Sequence, residues 1–394
     1  MNRPDRASGS ESLRRSNLST LLTALHRTGP QTRAHLTRLT GLTRSTIGAL
    51  VAELTALDLA YETEAPEAGR VGRPSPLVHA NEQVTAIAVN PDVDAVTVAL
   101  VGLGGQVKRK VRYDAVNVPS VAEAVNITKA IVEGMQTEAN RPSLIAGVGL
   151  AIPGLVRTLD GHVLTAPHLK WSDEPVASRF AKALGMDVKA ANDASLGSLA
   201  ESTYGAASDA FHAIYLNGSA SGIGGGVVAA GLPLRGASGY AGELGHVLVN
   251  SVGSPCYCGR TGCLETEVSL ERLQEALDVG RASPDELERA LSGNLSLAAR
   301  KEVERQLDFL AVAASDLINV FNPEVIVLGG FLGLLFDAAP ERLLGAVREQ
   351  PIGGLGREVR IERAALGADL VLIGAAELAF ADLLANPHRI ALPG

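Results

Sequence analysis

Gly242-Glu-Leu-Gly-His246, followed by Cys256-Tyr-Cys258-Gly-Arg-Thr-Gly-Cys263 and then Leu264-Glu265, is the stretch that decides how this chain reads. The 394 residues include three cysteines, and all three fall inside eight consecutive positions. Ordinary small buried cysteines would be scattered along the chain. Three thiols cannot pair off completely as disulfides, and no fourth cysteine exists to complete a second bridge. Two thiolates flanking one residue, a third five positions on, and a histidine ten positions upstream can close a tetrahedral Cys3His shell around one Zn2+. The expected ligands are His246, Cys256, Cys258 and Cys263. Four protein ligands leave no coordination position for water, so the ion is expected to be structural. Ligation would also lock the segments that carry Glu243 and Glu265, letting zinc organise a polar pocket without entering its chemistry.

Composition fits a chain of two or three domains. Aromatic residues make up 4%, yet the hydrophobic fraction is 46%, which is ample for substantial cores. No apolar run approaches the roughly 18 residues needed to span a bilayer. The opening MNRPDRASGSESLRR lacks the apolar core of a secretory signal, so a cytoplasmic location with no membrane partner is expected. Net charge is −8 but unevenly spread. Residues 1–80 hold ten arginines, no lysine and seven carboxylates, so a mildly basic head precedes an acidic body. That asymmetry suggests that the head alone meets a polyanion.

The head, residues 13–80 after a disordered 1–12, reads as a winged helix-turn-helix. Ser16 can cap a first helix whose Leu18, Leu21, Leu22 and Leu25 form one apolar stripe, stopped by Gly29-Pro30. Thr32 can cap a short second helix with Ala34, Leu36 and Leu39 facing inward. Gly41 supplies the tight turn, and Thr43 caps a third helix burying Ile47, Leu50, Val51, Leu54 and Leu57. Arg44, Ser45 and Thr46 then occupy the exposed first turn of a recognition helix, with Thr43 and Arg33 beside them. Gly69-Arg-Val-Gly-Arg-Pro74 looks like the tip of a wing that offers Arg70 and Arg73 to phosphates or the minor groove. A helical packing module with a basic loop is the plainer reading of the same residues. The wing favours a double-stranded DNA operator as partner.

From about Asn81 the chain is α/β. Val84–Val89, Ala95–Val101 and Gln106–Tyr113 read as three antiparallel strands, followed by a helix over 119–137 and the strand Leu144–Ala151. A similar order recurs after Phe211, with strands Ala213–Leu216, Gly225–Ala230 and Val325–Leu328. Two such halves suggest a bilobal body: a first lobe 81–191 completed by a C-terminal helix within 370–394, and a second lobe 192–369. Asn192-Asp193 opens a helix after a short strand, where a carboxylate serves as a general base or merely as a cap. Gly222-Ile-Gly224-Gly225-Gly226 reads as a glycine-rich turn that either joins strands or admits phosphate.

Together these motifs, with Gly-Arg-Pro at 72–74, resemble the ROK family of repressors, open reading frames and sugar kinases, over essentially the whole chain. The fused head resembles its repressor branch, which includes the xylose and N-acetylglucosamine repressors. The resemblance implies an actin-like, ribonuclease-H-like ATPase fold for the body. It also implies a sugar held by Gly154, Asn192, Asp193, Glu243, His246 and Glu265, with Asp193 matching the base of the kinase members. Two departures bear on activity. Family kinases open the body with Asp-x-Gly-Gly-Thr, whose glycines admit ATP phosphates; here the same position reads Asn90-Pro91-Asp92-Val93-Asp94, with no glycine and one amide donor lost to proline. The second loop reads Ala220-Ser221-Gly222, with alanine for the usual first glycine. Phosphoryl transfer depends on positioning and charge neutralisation, so no enzymatic activity is expected even with Asp193 in place. His168, where the family has asparagine, and Ser195 bear on which sugar is bound. The expectation is a sugar-responsive repressor acting as a homodimer or homotetramer on a pseudo-palindromic operator. The alternatives are a bifunctional sugar kinase with a DNA-binding head, or a regulator whose vestigial sugar site answers to a partner protein or phosphosugar.

Overall fold

The structure, a computed structural model, describes residues 6–64, 76–135 and 142–389. It divides into two compact units, one of Met1–Leu150, Ala177–Lys189 and Ala375–Gly394, the other of Ala151–Val176 and Ala190–Gly374.

In the first unit the chain begins with helix α1 (Arg6–Thr28). This helix starts ten residues before the expected Ser16 cap, so residues 6–12 are helical rather than a disordered tail. Side-chain pairing supports the extra turns: Glu11 meets Arg15 one turn on, and Arg14 Nε donates to Glu53 at 3.0 Å. The leucine stripe at 18, 21, 22 and 25 is buried, and Gly29 ends the helix at φ 73° with its N–H on the Leu25 carbonyl. After β1 (Gln31–Thr32), the Thr32 hydroxyl caps α2 (Arg33–Thr40) by accepting from His35 N. Gly41 then turns left-handed at φ 69°, where a residue with a Cβ would be strained. Thr43 caps α3 (Arg44–Ala56) by accepting from Thr46 N. Leu36, Ile47, Leu50, Val51 and Leu54 close the core with the α1 stripe, each worth about 1.5–3 kcal/mol of burial. Leu39, expected inside, is 51% exposed, because the two-turn α2 buries Leu36 alone. Leu57, also expected inside, is half-buried at the end of α3. β2 (Ala60–Thr63) and β3 (Leu77–Ala80) pair antiparallel, with β1 on the far edge of β3. Arg70 and Arg73, in the connection between them, lie outside the described residues.

The first unit then builds a sheet from β4 (Val84–Pro91), β5 (Ala95–Gly102) and β6 (Val107–Asp114), antiparallel, followed by α4 (Val121–Met135) and β7 (Leu144–Ile152). After β7 the chain makes three short strands, β8 (Leu155–Arg157), β9 (His162–Ala166) and β10 (Trp171–Glu174), then α5 (Val176–Leu184) and β11 (Val188–Asn192). The sheet order is β11-β7-β4-β5-β6, with β4 and β7 parallel. β8–β10 form their own sheet and cluster with the second unit, so residues 151–176 do not belong to the first lobe as expected. Charged side chains on the edge strand β6, among them Lys108, Lys110 and Arg112, leave it poorly suited to pairing with another strand.

The second unit holds α6 (Asp193–Tyr204), the hairpin β12 (Ala213–Ser219) and β13 (Gly222–Ala229), and β14 (Leu232–Pro233). Helices α7 (Leu264–Glu267), α8 (Leu270–Leu277), α9 (Pro284–Ser292) and α10 (Leu297–Phe321) precede β15 (Val325–Gly330), α11 (Phe331–Ala338), α12 (Pro340–Glu349) and β16 (Arg360–Arg363). Its sheet runs β14-β13-β12-β15-β16, repeating the plan of the first: three antiparallel strands, then parallel ones. The run 222–226, expected as a turn, is strand instead. A Cβ on Gly224 would lie 2.7 Å from that of Ala194, and one on Gly226 would lie 2.4 Å from that of Ser198. The glycines at 224 and 226 therefore let β13 close onto α6.

The last helix, α13 (Leu370–Ala385), begins in the second unit and continues in the first. Gly149 of β7 admits it, since a Cβ there would sit 1.8 Å from the Ala375 carbonyl. A buried polar pair fastens α13 to α1: His26 Nε2 lies 2.8 and 3.0 Å from the two Glu377 oxygens. Gly104 N–H, in the β5–β6 turn, donates to His26 Nδ1 at 3.0 Å, so the ring proton sits on Nε2 and is given to Glu377. Among the described residues, no helix is long and apolar enough to cross a membrane.

Candidate functional site

The segment 242–265 folds against β13 because two glycines permit it. A Cβ on Gly245 would fall 1.8 Å from the Ile223 carbonyl, and one on Gly242 would fall 2.8 Å from that of Gly225. His246 is thereby placed beside a tight knuckle in which Cys256 N donates to Arg260 O at 2.8 Å and Gly262, at φ 76°, packs on the Asn250 carbonyl. One ligand atom each from His246, Cys256, Cys258 and Cys263 all lie within 4.8 Å of one another. Cys258 Sγ is 3.7 Å from Cys263 Sγ, and Cys256 Sγ is 3.6 Å from His246 Nδ1. A tetrahedral zinc shell with bonds of about 2.3 Å to sulfur and about 2.0 Å to nitrogen requires separations of roughly 3.7 and 3.5 Å. The four residues fit a metal ion.

Glu265 sits next to this cluster, its Oε1 3.0 Å from Cys256 Sγ and 3.3 Å from His246 Nδ1. Glu267, which sequence reasoning missed, supports the knuckle from beneath. Buried to 3% exposure, it accepts from Ser254 N at 2.7 Å and Asn250 Nδ2 at 3.3 Å, while Arg305 of α10 donates to its carbonyl. Its one sequence signal was its place two residues after Glu265.

Gly154, Asn192, Asp193, Glu243, His246 and Glu265 all line one cleft of about 660 Å3 in the second unit. Asn192 is both cap and cleft residue: its Oδ1 accepts from Ser195 N at 2.9 Å, and its Nδ2 donates to the Gly154 carbonyl at 3.1 Å. Asp193 Oδ1 accepts from Ala194 N at 2.8 Å. Gly154 is required as glycine, since a Cβ would come 2.5 Å from the Thr165 carbonyl. Glu243 lies at the solvent-exposed rim, yet the surrounding protein and the charge of Glu265 raise its carboxyl above the ordinary range, against a lowering by His246. Tyr257 also lines the cleft, its hydroxyl 3.2 Å from His246 Nε2 and its ring edge-on to His246 and His168. His168 Nε2 is buried without a hydrogen-bond partner. Amide, imidazole and carboxylate groups converging this way suit a ligand rich in hydroxyls.

In the head, Thr43, Arg44 and Ser45 are exposed on the first turn of α3, with Thr46 half-buried. The Thr43 hydroxyl is 3.0 Å from that of Ser45 and 2.8 Å from that of Thr46, so capping already engages three of these residues. Arg33 is paired with Glu62 of β2 through Nε at 2.7 Å, its guanidinium 3.7 Å from where a Cβ on Gly48 of α3 would sit. At residues 90–94, Asp92 N donates to Ala95 O at 2.8 Å and Val93 N to Asp92 Oδ1 at 2.7 Å, so those amides are spent within the turn.

Compared with known families, residues 86–382 match the ROK family. This chain belongs to the ROK family. Its body has the actin-like, sugar-kinase-type architecture of that family, preceded by a helical N-terminal region. Among curated relatives, the xylose repressor of Caldicellulosiruptor bescii is 25% identical over 90% of this chain and 93% of its own length. The glucokinase of Halalkalibacterium halodurans is 30% identical over 63% of this chain and 80% of its own length. The solved ROK family transcriptional regulator that is a homolog of the E. coli MLC protein superposes with a TM-score of 0.78 at 25% identity, covering 95% of this chain and 97% of that one.

Proposed function

We propose that this chain is a sugar-responsive transcriptional repressor with a winged helix-turn-helix head, a zinc-organised sugar cleft and no kinase activity. The observation that carries the reading is the reach of the repressor likeness. It spans 90% of the chain and so includes the head, whereas the glucokinase likeness stops at 63%. Three helices followed by an antiparallel β2–β3 pair support the winged assignment, with Arg44 facing solvent where a recognition helix meets base edges. Zinc is the ion that best suits three thiolates and an imidazole at these separations. It would hold the 242–265 segment in place, and Glu243, His246 and Glu265 with it.

Support for a non-catalytic body comes from the 90–94 turn, whose amides are bonded internally and which offers no glycine for a phosphate to approach. A kinase reading rests on Asp193 at the mouth of α6; hexose-dependent ATP turnover by the zinc-loaded chain would establish it. The repressor would act in the cytoplasm as a symmetric dimer or tetramer, presenting two recognition helices to successive turns of an operator.

The test is fluorescence anisotropy of the full chain on a labelled fragment from upstream of its own gene. Specific binding should weaken steeply with salt and fall at least about tenfold in Arg44→Ala. Equal affinity for that fragment and for unrelated DNA would reject the reading.

A further inference from the structure

Among the three cysteines of the metal knuckle, Cys258 differs in its access to water. Cys256 is 7% exposed and Cys263 is fully buried, whereas Cys258 is open to solvent and forms part of the cleft wall. A metal-bound thiolate enclosed by protein is shielded from oxidants, and one at the surface is not.

The knuckle also sets a second sulfur beside it. Cys258 Sγ lies 3.7 Å from Cys263 Sγ, and a disulfide bond is about 2.05 Å long, so closing the pair needs a movement of about 1.7 Å. The two ends of the intervening loop differ in freedom. Cys263 is bridged to Leu248, and Gly262 before it packs so closely that a Cβ would sit 1.6 Å from the Asn250 carbonyl. At the other end Gly259, at φ 89°, has nothing within 4 Å of where its Cβ would be. Cys258 is therefore the partner free to move. Cys256 is buried against Glu265 Oε1 at 3.0 Å and His246 Nδ1 at 3.6 Å.

We propose that Cys258 and Cys263 form a reversible, peroxide-sensitive couple whose oxidation to a disulfide releases the metal and unlocks the knuckle. The inference goes beyond the repressor reading and rests on its zinc site. The Cys258 thiolate attacks one oxygen of hydrogen peroxide and breaks the O–O bond; one proton is taken up, water leaves and a sulfenic acid remains. The Cys263 thiolate then attacks the Cys258 sulfur. The S–S bond forms, the S–O bond breaks, and the departing hydroxide takes up a second proton. Two thiolates thereby lose two electrons, and one peroxide is reduced to two waters. His246 and Cys256 alone remain as ligands, where a structural zinc site takes four. Only hydrogen bonds such as Val249 N to Gly262 O at 2.9 Å and Cys256 N to Arg260 O at 2.8 Å are then left to shape the segment. His246 and Cys258 both line the cleft, so oxidation loosens one of its walls.

The test is titration of the zinc-loaded full chain with hydrogen peroxide at neutral pH. A chromogenic chelator reports free zinc, and peptide mass mapping reports the state of each cysteine. Zinc should leave as two of the three thiols disappear, with Cys258 joined to Cys263 and Cys256 still open to alkylation. Hydrogen exchange over residues 247–264 should rise in step, and dithiothreitol with added Zn2+ should reverse both changes. Cys258→His keeps a zinc ligand at the exposed position without an oxidisable sulfur, so its zinc should leave at least about tenfold more slowly. The wild-type map decides the matter even where that variant fails to hold zinc. Zinc retained in excess peroxide, a bridge that uses Cys256 in place of Cys258, or sulfonic acids that dithiothreitol does not reverse would each overturn the inference and leave the zinc reading standing. A purified chain that holds no zinc overturns both.

Discussion

The His26–Glu377 pair is where a small change should have a large local effect. His26 is fully buried and the Glu377 side chain is 5% exposed, so His26→Leu would take the imidazole hydrogen bond away from a buried carboxylate. Breaking such a pair from one side costs about 3–5 kcal/mol, because the remaining charge keeps its desolvation penalty and loses the imidazole that offset it. Glu377→Leu would strand the Nε2–H instead, at about 1–3 kcal/mol. The double substitution places two apolar side chains beside Phe380, whose ring stands 5.5 Å from that of His26. It removes both members of the pair together, leaving the Gly104 amide without its His26 acceptor but no carboxylate deprived of the imidazole, so it should cost less than His26→Leu alone. A chain of two units need not unfold in one step, so the suitable assay is hydrogen exchange of the α1 and α13 amides read by mass spectrometry. At about 1.4 kcal/mol per decade, His26→Leu should speed exchange in residues 18–28 by roughly 10²- to 4 × 10³-fold, with the double variant partly restored. Additive effects, or a change below tenfold in both single variants, would refute the reasoning.

Three further outcomes follow from the same geometry. Cys258→Ser should abolish stoichiometric zinc in the purified protein and lower sugar affinity at least about tenfold, read by metal analysis and calorimetry; full zinc retention would argue against the four-ligand shell. Glu267→Ala removes the acceptor for Ser254 N and Asn250 Nδ2 and should destabilise the metal knuckle by about 2–4 kcal/mol, seen as faster zinc loss to a chelator; wild-type loss rates would count against its supporting role. Glu302 is pushed up by burial, but hydrogen bonds from Arg305 and Gln306 outweigh that and hold its carboxyl below the ordinary 4.5. The folded state therefore binds that proton less readily than the unfolded one. Its stabilising contribution is present above about pH 4.5 and is lost as the pH falls below it. Exchange in α10 should accelerate on acidification in wild type and less so in Glu302→Gln.

Much of this molecule could be read from its residues because the signals were local. The 18-21-22-25 stripe, the Thr32 and Thr43 caps and the left-handed Gly41 each depend on neighbours within a turn or two, and each appears in the structure as expected. The metal cluster was legible for a different reason, since cysteine is rare here and its spacing is chemically restrictive. What escaped depends on distant partners. The glycines at 222–226 carry no pattern of their own, and their meaning lies in Ala194, Ser198 and Leu244, which pack where side chains would have been. β8–β10 are three to five residues long, too short for periodicity to reveal. Tyr257 and Glu267 gained importance only when the knuckle set one over the cleft and the other beneath the loop.

The central claim joins a sugar cleft in one unit to a DNA-reading head in the other, and one titration addresses it. Operator affinity is measured by anisotropy while a sugar shown by calorimetry to bind is raised to saturation. If the cleft regulates the head, affinity should shift by about 5- to 150-fold, the range of ordinary coupling between sites, and saturating operator should shift sugar affinity by the same factor. Operator affinity that stays constant while the cleft fills would contradict the claim.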